Sequence, residues 1–194
     1  MPEYEERAQE IEILLSHDFS KMSLEELREI NKQYIAVQSI TKDVIHWTDA
    51  QYKAWQYMHL RIKEEENKDD FVKVGDLFYS SWGYDQTNVE FFKIVEISKT
   101  GKTCKVVEVA AEPIGNKEEN NRNMCDTVIP NPDQVINSNK CTVKIERSHD
   151  KNPYTNKIVK VGEIQLRGSV YYGEDKHLRN LYRVKGSVSR SWYA

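Results

Sequence analysis

The chain reads as an α+β protein, with an N-terminal helical module followed by a small antiparallel β-barrel of SH3-like type. Three observations predict this. Apolar residues recur every three or four positions through the first third, then alternate as short strand-like runs from about residue 77. Two helix-start signatures, Ser23-Leu24-Glu25-Glu26 and Thr48-Asp49-Ala50-Gln51, sit in that first third. The two patterns are separated by Lys63-Glu64-Glu65-Glu66-Asn67-Lys68-Asp69-Asp70, which has no apolar residue. The expected domains are therefore an acidic helical module over 1–68 and a barrel domain over 69–194.

The first helix is expected over Glu5–Leu15, where Ala8, Ile11 and Leu15 share one face. The second is expected over Leu24–Ser39. Its Ser23 hydroxyl can accept the Glu26 amide while the Glu26 carboxylate reaches back, and Leu24, Leu27, Ile30, Tyr34 and Val37 form its apolar stripe. The third is expected over Asp49–Glu66, with Tyr52, Trp55, His59 and Ile62 on one side. Beyond the charged bridge, strands are expected at Leu77–Ser80, Val89–Ile97, Thr103–Ala110, Thr142–Arg147, Ile158–Arg167, Ser169–Tyr172 and Leu181–Val184. Lys99-Thr100-Gly101-Lys102 suits a hairpin turn. Pro113–Asn123 is polar and reads as an exposed loop, and Pro130-Asn131-Pro132-Asp133 as a rigid turn.

Between the first two strands lies Trp82-Gly83-Tyr84-Asp85-Gln86-Thr87-Asn88, dense in turn formers and hydrogen-bonding side chains. Two readings follow. Trp82 and Tyr84 seal one end of the barrel while Asp85, Gln86, Thr87 and Asn88 satisfy the loop backbone, or those polar groups form a recognition pocket. The structural reading is the better supported, because buried loop backbone must find partners.

Ser80-Ser81-Trp82-Gly83-Tyr84-Asp85-Gln86-Thr87-Asn88-Val89, followed by Phe91-Phe92-Lys93-Ile94-Val95, resembles a group of largely uncharacterised proteins carried by phages, plasmids and other mobile elements. The Pro130 segment and the end Ser191-Trp192-Tyr193-Ala194 extend the resemblance, which covers roughly residues 71–194. The helices fall outside it. The resemblance implies a context and no catalytic residue: a small accessory protein of the kind that blocks host defence, anti-CRISPR proteins included.

The net charge of -3 conceals an asymmetry. Residues 1–70 carry 9 Lys/Arg against 16 Asp/Glu, residues 71–138 carry 7 against 10, and residues 139–194 carry 12 against 5. An acidic front can bind a basic protein groove or mimic nucleic-acid phosphates, with Glu25, Glu29, Tyr52 and Trp55 as the expected protein-binding residues. A basic tail with interleaved aromatics suits nucleic acid, through Lys176, Arg179, Arg183, Lys185 and Arg190. The bland alternative to both is a pair of solvated faces.

No nucleophile elbow, phosphate loop, dinucleotide fingerprint or His-Glu-x-x-His is present. Cys104, Cys125 and Cys141 lack metal-ligand spacing, and a disulfide framework is disfavoured. No cofactor or metal is therefore expected. No stretch is long and apolar enough for a membrane span, and Met1 is followed by acidic residues, so a cytoplasmic location in the host cell is expected. The expectation is a binding protein without catalysis, whose partner is a host protein or nucleoprotein such as a CRISPR effector. A nucleic-acid-binding accessory domain is the alternative, and a hydrolase built around the motif loop the remote third.

Overall fold

The computed structural model describes residues 2–40, 48–172 and 174–192, so Tyr193 and Ala194 of the carboxyl-terminal motif lie outside the described residues. The chain divides into two compact units. One comprises Met1–Asp70 with Arg147–Glu163, the other Phe71–Glu146 with Ile164–Ala194. The segment 147–163, read from sequence as part of the barrel domain, thus clusters with the helices.

The helical unit contains α1 (Pro2–Leu15), a 3-10 turn (Phe19–Lys21), α2 (Leu24–Ile40) and α3 (Asp49–Asn67). Both capping boxes form. The Ser23 amide donates to Glu26 Oε2 at 2.8 Å and the Glu26 amide to Ser23 Oγ at 3.3 Å. Thr48 and Gln51 exchange the equivalent pair. Each box satisfies two N-terminal amides that the helix itself leaves without partners. The core joins Ile11, Leu14 and Leu15 of α1, Phe19 of the 3-10 turn, Leu27, Ile30, Tyr34 and Val37 of α2, and Ala54, Met58 and Ile62 of α3. The buried stripe of α3 is thus rotated from the expected one. Tyr52 is half exposed, and Trp55 only flanks the core, because packing selects the small and flexible Ala54 and Met58 for the closest approach.

Residues 147–163 complete this unit. Arg147 donates to the α3 carbonyl of Asn67 at 2.7 Å and to the Asp70 carbonyl. A cation there complements the negative end of the helix dipole. A short hairpin follows, pairing β5 (Asp150–Lys151) with β6 (Ile158–Val159).

The second unit is a closed six-stranded antiparallel barrel. Its strands are β1 (Leu77–Trp82), β2 (Asn88–Ile97), β3 (Thr103–Ile114), β4 (Cys125–Arg147), β7 (Ile164–Tyr172) and β8 (Asp175–Arg183). Sheet neighbours run β3-β2-β1-β8-β7-β4, and β3–β4 pairing closes the ring. A short helix, α4 (Lys117–Asn123), links β3 to β4, where the sequence predicts a loop. The Pro130–Asp133 segment does not reverse the chain. It lies inside β4, where Val109 pairs with Val135 but Ala110 with Asn131. Extra residues on one strand are bulges, and they bend β4 so that its first residues also pair with β9 (Val188–Ser191).

Phe78, Phe92, Ile94, Val106, Leu166 and Leu181 fill the barrel interior. A second cluster, Val89, Phe91, Val109 and Val128, lies on the opposite face of the same strands, packed by Tyr79 and Val188. β2 is therefore buried on both sides, which explains the adjacent Phe91 and Phe92, each worth about 1.5–3 kcal/mol when fully buried. Gly168 allows β7 to approach β4: a Cβ there would lie 2.8 Å from Val143 Cγ1 and 3.0 Å from its Cα.

Candidate functional site

The motif places alternate residues on one face. Ser80 pairs with Glu90 and Trp82 with Asn88 across β1–β2, on the same rows as the interior pair Phe78 and Phe92. On β3 the residue opposite Phe92 is Glu108. The apolar interior thus ends in a polar layer of Ser80, Trp82, Asn88, Glu90 and Glu108. Ser80 is buried and the others half-buried. Arg179 of β8 joins them, its guanidinium 5.5 Å from the Trp82 ring centroid.

The electrostatics follow from this placement. Burial raises the Glu90 carboxyl above the usual range. The nearby Trp82 indole and the Arg179 charge oppose the rise, and the Glu108 charge adds to it. Burial also raises Glu108. The Asn88 Nδ2 is buried without a hydrogen-bond partner among the described residues. Carboxyls, an indole and a guanidinium can hold one another here as a mixed-charge plug in the barrel end. Neither glutamate is among the residues that sequence motifs single out. The available signal is the inward row Asn88, Glu90, Phe92, which carries a charge beside a buried aromatic.

The loop itself is tied down at both ends. Gly83 has φ +126°, and a Cβ there would lie 1.8 Å from the Gln86 carbonyl oxygen. Thr87 and Ser191 exchange backbone hydrogen bonds at 3.1 and 3.0 Å, and the Thr87 amide also reaches Ser191 Oγ at 3.1 Å. Gln86 Nε2 donates to Asn88 Oδ1 at 3.4 Å. Between these anchors Asp85 is exposed and Tyr84 fully so. Trp82 therefore lies in the polar layer at the barrel end, whereas Tyr84 projects away from it.

The expected nucleic-acid residues are largely engaged within the fold. Arg190 makes a bidentate pair with buried Asp126, at 2.7 and 2.9 Å. Arg183 donates to the Phe71 carbonyl at 3.1 Å, lies 3.6 Å from Asp76 and covers the Phe78 ring. Arg179 covers Trp82, and Lys176 lies 4.6 Å over Tyr171. Lys185 is exposed. These five do not assemble into one open cationic face, because β-sheet alternation and cross-strand acids draw the arginines inward.

In the helical unit, Glu25 and Glu29 are exposed on α2, where Arg28 and Lys32 line the same shallow depression. That face is mixed in charge. Tyr52 stacks on Trp55 at 5.9 Å, and Trp55 meets His59 edge-on at 4.6 Å. Burial, and then the Lys63 charge, lowers the His59 pKa. Among the described residues no group of three or more His, Cys, Asp or Glu is arranged to hold a metal ion, and no helix is long and apolar enough to cross a membrane. Comparison with protein-family models, curated proteins and solved structures finds no match, so the site's own geometry carries the functional reading.

Proposed function

We propose that the protein acts by binding and not by catalysis, as a mobile-element inhibitor of a host nucleic-acid-targeting complex, and that the Trp82–Asn88 loop is its main contact with a protein partner. The observation that carries this is Tyr84, fully exposed at the apex of a loop anchored at both ends. An exposed aromatic on preorganised backbone loses little entropy on docking, and tyrosine is enriched among the residues that dominate interfaces. Asp85 beside it favours a basic rim on the partner. The internal engagement of Arg179, Arg183 and Arg190 supports a protein partner over nucleic acid at the C-terminal strands.

Capture from host lysate, with and without nuclease, tests the reading. A protein partner retained after nuclease treatment is expected. Tyr84→Ala should melt as the parent does and bind at least roughly tenfold more weakly, as for an interface hot spot. Gly83→Ala should weaken binding through loop geometry, since the left-handed φ and the clash with Gln86 oppose any side chain. Equal capture by the parent and Tyr84→Ala would overturn the assignment.

A further inference from the structure

In the barrel unit, β7 stands between β4 and β8 in the sheet. Alternation sends Cys141, Val143, Leu166, Val170 and Leu181 into the core and turns the residues between them outward. Lys140 and Lys144 of β4, Arg167 of β7, and Lys176, Leu178 and Tyr182 of β8 are all exposed on this outer face. Gly168 abuts Val143, and Arg167 pairs with Asn180, so Arg167 links the outward row of β4 to that of β8. We propose that this face binds single-stranded nucleic acid, the cations meeting phosphates and the bases resting over Leu178 and Tyr182. It goes beyond the loop assignment and uses different residues.

The charge on this face has one sign. No Asp or Glu occurs in 140–144, 165–171 or 176–182, and acids recur where these stretches end, at Glu146, Glu163, Glu174 and Asp175. The side chains of Lys140, Lys144 and Arg167 make no ion pair or hydrogen bond among the described residues. Lys140 helps to lower the Glu96 carboxyl, but the ion pair of Glu96 is with Lys105. Lys176 lies 4.6 Å over the Tyr171 ring, its ammonium still exposed to a ligand. These cations are a separate set from Arg179, Arg183 and Arg190, which the fold occupies. Lys140 and Lys144 stand about 13 Å apart along β4, at about 3.3 Å per residue, so each can meet its own phosphate. Protein surfaces mix both signs, whereas an unbroken cationic face complements a polyanion.

The apolar surface favours a single strand over a duplex. Leu178 is 61% exposed. Tyr182 tilts against Tyr79, ring centroids 6.0 Å apart, yet remains 47% exposed. Unpaired bases can cover apolar surface set among cations, and every base has a face to offer. A duplex hides those faces, and a sheet surface has no projecting helix or ribbon to enter its grooves. The β7–β8 register runs unbroken from Gln165 to Tyr172, so the face is already formed before a ligand arrives.

The test uses the full chain and fluorescein-labelled oligo-dT and oligo-U of roughly 12 nucleotides, within the usual span of single-strand sites. Anisotropy titrations should show binding that weakens as salt rises; binding of either oligonucleotide supports the proposal, and the two arms separate DNA from RNA. The triple Lys140→Gln, Lys144→Gln, Arg167→Gln should melt as the parent does, since these side chains have no partners to lose. It should reduce the log–log salt slope by roughly 2, at about 0.7 per phosphate contact on a single strand. The triple Lys151→Gln, Lys157→Gln, Lys160→Gln removes the same charge from exposed positions of the helical unit and should leave the slope unchanged. Ultraviolet crosslinks should map to the peptide carrying Tyr182. No binding at low salt, equal weakening by both triples, or crosslinks confined to the helical unit would each overturn the proposal. Tighter binding of a duplex of the same length would overturn the single-strand assignment, and displacement by polyglutamate at equal charge would reassign the face to an acidic protein. Tyr84→Ala should bind the oligonucleotides as the parent does, so failure here and failure of the loop assignment are separable.

Discussion

Replacing Arg190 by methionine should destabilise the barrel unit, beyond any loss of surface charge. Asp126 and Arg190 face each other directly in the β4–β9 register. The aspartate side chain is only 5% exposed and accepts bonds from both Nε and an Nη of the guanidinium, whose side chain is 32% exposed. Removing one partner of a fully buried ion pair costs about 3–5 kcal/mol, because the remaining charge is stranded. The partial exposure of Arg190 lets water reach the orphaned carboxylate, which brings the expected loss to roughly 2 kcal/mol. For a unit of roughly a hundred residues, that lowers the melting temperature by about 8 °C. The assay is thermal and urea denaturation of the full chain carrying Arg190→Met, Asp126→Asn and both together. The double variant should lose less than the sum of the singles, with a coupling energy of about 1 kcal/mol or more. Unchanged melting in Arg190→Met, or additive singles, would refute the reasoning and return Arg190 to the surface cations.

Two further outcomes are expected. Glu90 and Glu108 titrate above the usual carboxylate range when folded, so the folded chain holds protons more tightly than the unfolded chain. Their contribution to stability is fully present below the unfolded pKa and is lost as pH rises through the raised folded values. Glu90→Gln should flatten that fall as pH rises above the ordinary glutamate range, as read by urea denaturation, and an unchanged slope would sink the idea. Of the three cysteines, Cys125 is exposed, Cys141 is buried, and burial pushes the Cys104 thiol up to about 12. A thiol reagent should therefore modify Cys125 quickly and the other two only on unfolding, because the thiolate is the reactive form. Native labelling of Cys104 at the Cys125 rate would contradict this.

The sequence by itself determined the fold class, the three helices and the strands of the barrel's first half. These rest on local physics. Capping boxes at Ser23 and Thr48 act within four residues, the Leu24–Val37 stripe obeys a single period, and the turn at Gly101 joins neighbours in the chain. The helical start of α3 was legible, but not which face it buries, because packing against α1 and α2 prefers Ala54 and Met58 to Tyr52 and Trp55. The bulged course of β4 through Pro130–Asp133 was hidden as well, since proline-rich sequence signals a turn and only β3 supplies the pairing that makes it strand. Charge asymmetry was visible in the sequence, but its use was not. Arg190 meets Asp126 across 64 residues, and Arg183 meets Asp76 across more than a hundred. The motif loop was conspicuous from its residues alone. That Trp82 and Asn88 look inward with Glu90 while Tyr84 looks out depends on β1–β2 register and barrel closure, which are long-range contacts that no local pattern encodes.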